Sequence, residues 1–254
     1  MAPPALRPRS PSELVDAAFQ LLRAHFAHFI MCSAVAYVPW LVIDLVRASD
    51  PATLAQVNIG RTLLLALAMM ASFSLMSAVL ILCASQAYLG EPIDIGQAVR
   101  TAVRRWPRVA LSALLRFALI VGAFFFLFLP ALYPAARFFA VTPVIVLENA
   151  GVAAAFSRSS ALSKGRKWHV ILTMGLVFLV YIALLVGLTL TLELVPSLVV
   201  RLIILAAFTI VAFPVVAITE ALLYYDTRIK SEGLDIELLA GALEGVPPPR
   251  PAAP

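Results

Sequence analysis

The stretch Trp168–Leu192, WHVILTMGLVFLVYIALLVGLTLTL, contains no Asp, Glu, Lys or Arg and exceeds the roughly 20 apolar residues that cross a bilayer. A second stretch, Thr62–Gly90, is equally free of charged side chains. Lipid favours apolar side chains around the whole circumference of a helix, whereas water favours them on one side only. These two stretches therefore predict transmembrane helices.

The composition of the chain indicates the same class of protein. Of 254 residues, 62% are apolar and 13% are charged, and the mean hydropathy is +0.98. Soluble domains carry about 25% charged residues, so we expect one membrane domain. The net charge of +5 is concentrated in particular loops, which argues against a nucleic-acid partner. Cys32 and Cys83 lie in apolar stretches and are predicted to be small core residues, with no disulfide.

The hydropathy pattern predicts six membrane spans. They lie at about 27–46, 62–88, 109–130, 131–147, 170–192 and 197–224. The fourth span contains Pro134, Arg137 and Pro143, and we expect it to form a tight helical hairpin with the third. His25 and His28 interrupt the first apolar stretch, which favours an uncleaved span over a signal peptide.

Each pair of spans follows an amphipathic segment, and the resulting unit occurs three times. The units cover about 10–88, 94–148 and 149–225. They predict three parallel repeats, each an amphipathic helix plus a helical hairpin, related by an axis along the membrane normal. The amphipathic helices are expected to lie flat at the headgroups, to pack beneath the bundle as connectors, or to do both.

Local signals mark where the amphipathic helices begin. Ser10 precedes Pro11, and Glu13 follows three positions after the serine, which is the pattern of a capping box. Asp94 and Asn149 are the predicted N-caps of the second and third amphipathic helices.

Most of the 19 basic residues lie on one side of the predicted spans, and only Arg47, Arg61 and Arg201 lie at the opposite ends. This bias predicts that the basic side and both termini are cytoplasmic. The predicted regions are a disordered N-terminus at 1–9, a membrane domain at 10–225, a cytoplasmic C-terminal helix at 226–244 and a disordered proline-rich tail at 245–254.

Three ionisable residues lie well inside the spans, namely Arg116, Arg137 and Glu220. Charges at such depth usually face the bundle interior and pair with one another. One interpretation is a polar site or an ion path built from all three. The alternative is that Glu220 forms a fixed bridge with one arginine and has only a structural role.

The basic residues of the second and third amphipathic segments are candidate contacts for anionic lipid, because the inner leaflet attracts positive charge. They are Arg100, Arg104, Arg105, Arg158, Lys164, Arg166 and Lys167. No catalytic, metal or cofactor site is expected. The chain has no G-x-S-x-G, P-loop or H-E-x-x-H motif, and its histidines lack the partners of a metal site.

Two stretches together resemble a known family. They are Val146–Trp168, VLENAGVAAAFSRSSALSKGRKW, and Leu223–Ala240, LYYDTRIKSEGLDIELLA. They are similar to the closing motifs of the membrane domain of glycerophosphoryl diester phosphodiesterase and of related uncharacterised six-span bacterial proteins. The resemblance implies a multi-pass protein of the bacterial cytoplasmic membrane. Some members also carry a soluble phosphodiesterase barrel, which is the catalytic part of those proteins. The resemblance concerns only the membrane part, so it places no catalytic residue on this sequence.

The closing stretch mixes charges of both signs directly after the last span. Candidate salt links involve Glu148, Asp226, Arg228, Glu232 and Asp235. The alternative is a solvated charged helix that packs under the bundle.

The sequence favours a non-enzymatic membrane protein that organises or senses lipid, or that holds a membrane or cytoplasmic protein partner. The expected lipid partners are anionic. A small-solute or lipid transporter or channel that uses Arg116, Arg137 and Glu220 is the second possibility. An enzyme acting on a lipid headgroup is the third.

Overall fold

The structure is a computed structural model that describes residues 9–49, 59–126 and 128–232. All regular secondary structure in these ranges is helical, which confirms the predicted all-α class. The helices are α1 (Pro11–Ala24), α2 (Phe26–Ser49), α3 (Ile59–Tyr88), α4 (Ile95–Phe126), α5 (Phe128–Arg137), α6 (Val141–Glu148), α7 (Val152–Leu162), α8 (Lys167–Leu192) and α9 (Leu198–Glu232). Of the predicted disordered N-terminus at 1–9, only Arg9 is described, and it bonds to α9. The predicted disorder at 245–254 and any helix beyond Glu232 fall outside the described residues.

Five stretches of the described chain are long and apolar enough to cross a bilayer. They are Ile59–Tyr88, Ile95–Phe124, Ala131–Glu148, Lys167–Leu192 and Leu198–Glu232. A sixth is added if α1 and the start of α2 count as one span, although the two helices are bent by 88°. By length and composition the chain is therefore a multi-pass helical membrane protein, as predicted.

Many of the basic residues lie at one end of the bundle, which we call the basic end. They include Arg105, Arg158, Arg166, Arg228 and Lys230. The end of α3 meets the end of α9 through a hydrogen bond between Ser85 and Tyr225. The start of α4 meets the end of α6 because Arg105 donates to the carbonyl of Val146. The first described residue, Arg9, also contacts α9 here, so both ends of the described chain lie at the same end of the bundle.

Helix α1 begins with the predicted capping box. The Ser10 side chain accepts a hydrogen bond from the backbone N–H of Glu13, and the Glu13 carboxylate accepts one from the backbone N–H of Ser10. The apolar stripe of the helix is buried mainly against α8 and α9. This packing favours the prediction that α1 is a connector that packs beneath the bundle at the basic end.

Helix α4 differs from the prediction of a separate amphipathic helix followed by a span, because it is continuous from Ile95 to Phe126. Asp94 caps it as predicted and accepts a hydrogen bond of 2.9 Å from the backbone N–H of Gln97. The apolar residues in the first turns of α4, which we expected to form one stripe, divide between two faces. One face is buried at Ala98 and Ala102, while Val99 and Val103 are about half exposed.

The predicted N-cap role of Asn149 is wrong. Asn149 adopts a left-handed conformation with φ of 57° and ends α6, whereas α7 begins after Gly151 without a side-chain cap. Asparagine tolerates the left-handed region better than most residues, so it serves here as a helix C-cap. Helix α6 is buried from Val141 to Val146, and its valines and Ile145 belong to the hydrophobic core of the bundle.

Candidate functional site at the basic end

The three predicted intramembrane charges do not form one group. Arg116 lies 3.7 Å from the Glu220 carboxylate and donates a hydrogen bond of 2.8 Å to the hydroxyl of Thr142. Arg137 instead donates a hydrogen bond of 2.8 Å to Ser160. Arg116 and Glu220 thus form an ion pair between α4 and α9, while Arg137 ties α5 to α7.

A closed ring of hydrogen bonds lies at the basic end. Its members, which we call the five-residue ring, are Glu148, Arg158, Glu232, Arg228 and Tyr224. Arg158 donates to Glu148 at 3.2 Å and to Glu232 at 2.9 Å. Arg228 donates to Glu232 at 3.0 Å and to the Tyr224 hydroxyl at 3.3 Å, and that hydroxyl donates to Glu148 at 2.7 Å.

The ring forms because three helices present its members to one another. Tyr224, Arg228 and Glu232 are spaced four residues apart on α9 and therefore share one face. Glu148 is the last residue of α6, and Arg158 lies on α7. Burial opposes the charge of Arg158, but the hydrogen bonds and charges of Glu232 and Glu148 outweigh it and raise the pKa of the guanidinium above its ordinary value. The ring holds α6, α7 and α9 together.

A second cluster surrounds Asp226, which is 2% exposed. Its carboxylate accepts hydrogen bonds of 2.6 Å from Lys230 and 2.8 Å from the backbone N–H of Arg9. His169 Nε2 lies 2.9 Å from the same carboxylate. Of the predicted salt-link residues, Asp226 thus joins α9 to α8 and to the start of the chain, and Asp235 lies outside the described residues.

Several candidate lipid contacts are bound within the protein. Arg158 belongs to the ring, Arg105 donates to the Val146 carbonyl, and Arg166 donates to the Lys230 carbonyl. Lys167 lies 4.1 Å from the centre of the Tyr133 ring, a cation–π distance.

Three candidate lipid contacts remain available. Arg100, Arg104 and Lys164 are exposed, and their side chains make no hydrogen bond or ion pair with any residue that the structure describes. Arg100 and Arg104 are four residues apart on α4, so they share one face of that helix. Val99, Val103 and Trp106 form an exposed apolar face beside them. The start of α4 therefore presents positive charge next to apolar surface.

The basic end also contains a polar cleft of about 550 Å³ between the end of α3, the start of α4 and the end of α6. Gln97, Thr101 and Arg105 line it from α4, and Glu91 lines it from the α3–α4 connection. Glu91, Gln97 and Thr101 are not among the site residues predicted from the sequence. Their signal was the four-residue spacing of Gln97, Thr101 and Arg105, which places three polar side chains on one helix face.

The described residues contain no candidate metal centre. No group of three or more His, Cys, Asp or Glu residues is arranged to hold a metal ion in 9–49, 59–126 or 128–232. Comparison of the chain with protein-family models, curated proteins and solved structures gives no match.

Proposed function

We propose that this protein is a non-enzymatic multi-pass membrane protein that binds anionic phospholipid through the start of α4. The observation that carries the proposal is the pair Arg100 and Arg104, which is exposed and unpaired among the described residues, beside the exposed apolar side chains Val99 and Val103. Water disfavours such an apolar face, whereas the boundary between headgroups and acyl chains accommodates it.

Lipid charge complements this surface. The apolar side chains enter the acyl region, while the two guanidinium groups remain with the phosphates. Each arginine near an anionic leaflet contributes about 1 kcal/mol to the attraction. Arginine also forms bidentate hydrogen bonds with phosphate, which favours it over a diffuse positive charge.

The proposal includes an orientation. The basic end faces the cytoplasm, because basic loops are retained on that side, and both termini lie there. The membrane is the bacterial cytoplasmic membrane, and the spans form three parallel repeats. The two stretches that carry the family resemblance contact each other, because Tyr224 donates to Glu148 and Arg158 donates to Glu232.

The test is the lipid that remains bound during purification. Replacement of Arg100 and Arg104 by glutamine should reduce the amount of co-purified phosphatidylglycerol and cardiolipin, measured by mass spectrometry, and should leave phosphatidylethanolamine unchanged. The matched control replaces both arginines by lysine and should retain most of the anionic lipid. Equal anionic lipid in the glutamine variant and the wild type would disprove the proposal.

Transport is the competing function. The Arg116–Glu220 pair favours it, because one Glu220 oxygen, Oε1, accepts no hydrogen bond from the described residues. The separation of Arg137 from this pair argues against a continuous polar path. Solute flux into proteoliposomes that disappears in Glu220→Gln, with anionic lipid unchanged in the Arg100/Arg104 variant, would favour transport.

A further inference from the structure

The polar cleft at the basic end has the size and lining of a binding site. Its volume of about 550 Å³ lies within the range of roughly 300–1,000 Å³ that holds small ligands. It lies between the end of α3 and the end of α6, with α4 forming one wall. Buried contacts between these helices hold the walls in place, so the cleft is already formed without a ligand.

The α4 wall offers hydrogen-bonding groups that nothing in the described chain uses. The Thr101 hydroxyl makes no hydrogen bond with the described residues. Arg105 donates to the Val146 carbonyl through Nη1, but its buried Nε has no partner. A buried donor without a partner costs about 1–3 kcal/mol, and a ligand that accepts its hydrogen bond recovers that cost.

The cleft also has one free charge of each sign. The Glu148 carboxylate is bound by Arg158 and Tyr224. The Glu91 carboxylate is exposed and makes no hydrogen bond or ion pair with the rest of the described chain. The charged groups on the lining that have no partner of opposite charge among the described residues are therefore the carboxylate of Glu91 and the guanidinium of Arg105.

The two charges lie toward different ends of the cleft. The backbone N–H of Glu91 donates to the Gln86 carbonyl, and the Gln86 side chain lies 3.4 Å from that of Gln97, so Glu91 is near the first turn of α4. Arg105 follows Gln97 by two helical turns, which is about 12 Å along the axis. The Arg105 side chain shortens this separation, and Thr101 lies between the two ends.

We propose that the cleft binds a small zwitterion that carries a primary ammonium and an oxyanion on a short chain. The ammonium pairs with Glu91, and the oxyanion accepts hydrogen bonds from Arg105 and Thr101. A guanidinium suits an oxyanion because it supplies several donors in one plane. The same chemistry occurs in a free aminoalkyl phosphate and in a lipid headgroup.

The inference goes beyond the anionic-lipid proposal and uses different residues. Arg100 and Arg104 lie three residues after Gln97 and Thr101, on the neighbouring face of α4, and neither of them lines the cleft. Failure of the Arg100/Arg104 experiment therefore leaves the cleft proposal intact, and the reverse also holds.

The experiment uses the full-length protein in nanodiscs that contain only phosphatidylglycerol. Binding of O-phosphoethanolamine is measured by calorimetry beside two matched probes: ethanolamine, which lacks the oxyanion, and ethyl phosphate, which lacks the ammonium. Nanodiscs that also contain phosphatidylethanolamine form the lipid arm. Phosphatidylethanolamine that stays bound to the purified protein shows that the zwitterion is a lipid headgroup. Competition between phosphatidylethanolamine and free O-phosphoethanolamine shows that both bind in the cleft.

Glu91→Gln should weaken O-phosphoethanolamine binding about tenfold, the loss expected for one charge-assisted hydrogen bond, and should leave ethyl phosphate unchanged. Thr101→Ala should weaken the binding of both O-phosphoethanolamine and ethyl phosphate, because both carry the oxyanion. Glu193→Gln is the control, because Glu193 lies at the opposite end of the bundle. The proposal is overturned if neither the free nor the lipid-borne zwitterion binds, if Glu91→Gln leaves binding unchanged, or if glycerol binds as tightly as the zwitterion.

Discussion

The carboxylate of Asp226 accepts a hydrogen bond of 2.8 Å from the backbone N–H of Arg9, a residue 217 positions earlier in the chain. Lys230 completes the connection, because its ammonium donates to Asp226 at 2.6 Å and to the Arg9 carbonyl at 2.7 Å. One buried carboxylate on the last helix thus holds the segment that leads into the first helix.

Replacement of Asp226 by alanine should release this segment. The backbone N–H of Arg9 loses its acceptor, and the Lys230 ammonium loses its carboxylate partner and keeps only the Arg9 carbonyl. A hydrogen bond to a charged group contributes about 1.5–3 kcal/mol. Hydrogen–deuterium exchange should become faster at the start of α1, and the melting temperature in detergent should fall. Asp16→Ala is the control, because the exposed Asp16 bonds only to Gln20 among the described residues. Equal protection in both variants would refute the proposed connection.

The buried pair between α4 and α9 predicts a specific double-mutant result. Glu220→Gln should lower the thermal stability, because it leaves the Arg116 charge inside the span without its carboxylate. Additional replacement of Arg116 by glutamine should recover part of the loss, since an unpaired buried charge costs more than the absence of both partners.

Arg137 provides the matched control for that cycle. It bonds to Ser160 rather than to Glu220, so Arg137→Gln and Glu220→Gln should have additive effects within about 0.5 kcal/mol. Coupling of Glu220 to Arg137, with additivity toward Arg116, would contradict the observed pairing.

The five-residue ring predicts a large effect from the loss of one oxygen atom. Tyr224→Phe should reduce the free energy of unfolding by about 1–3 kcal/mol. The Glu148 carboxylate loses a buried hydrogen-bond donor, and the Arg228 guanidinium loses a hydrogen-bond acceptor. Tyr133→Phe should have little effect, since the ring that packs on Lys167 remains. Chemical denaturation in detergent measures both, and similar losses would show that the Tyr224 hydroxyl has no special role.

The position of the chain ends predicts a labelling pattern. In a variant that lacks Cys32 and Cys83, single cysteines at Ser10 and Ser231 should react with a membrane-impermeant thiol reagent from one and the same side. A cysteine at Ser197, in the turn before α9, should react from the other side. Reaction of Ser197 and Ser231 from the same side would exclude a spanning α9.

Sequence patterns predicted the helical membrane class because that class depends on local properties. Long uncharged stretches identify spans in any arrangement. The caps at Ser10 and Asp94 depend on residues within three positions, and both predictions are confirmed. Asn149 shows the limit, because an asparagine between two helices can end the first as well as begin the second.

Contacts between distant segments were less predictable. The depth of Glu220 in its span suited either arginine, and only the folded structure, in which the Arg116 side chain reaches from α4 to the Glu220 carboxylate, selects Arg116. Arg105 and Arg166 looked like free positive charges in the sequence, yet both bond to backbone carbonyls, which every residue has and no pattern marks. The polar cleft needs three separate segments and has no signature in any one of them.

Helix α1 buries Leu14, Ala18 and Leu22 mainly against α8 and α9, which the ribosome makes after α1 and the six helices that follow it in the described chain. The nascent chain therefore exposes this apolar stripe throughout most of its synthesis. The membrane interface accommodates an amphipathic helix, so we expect α1 to lie on lipid until α8 and α9 are made and cover its apolar stripe.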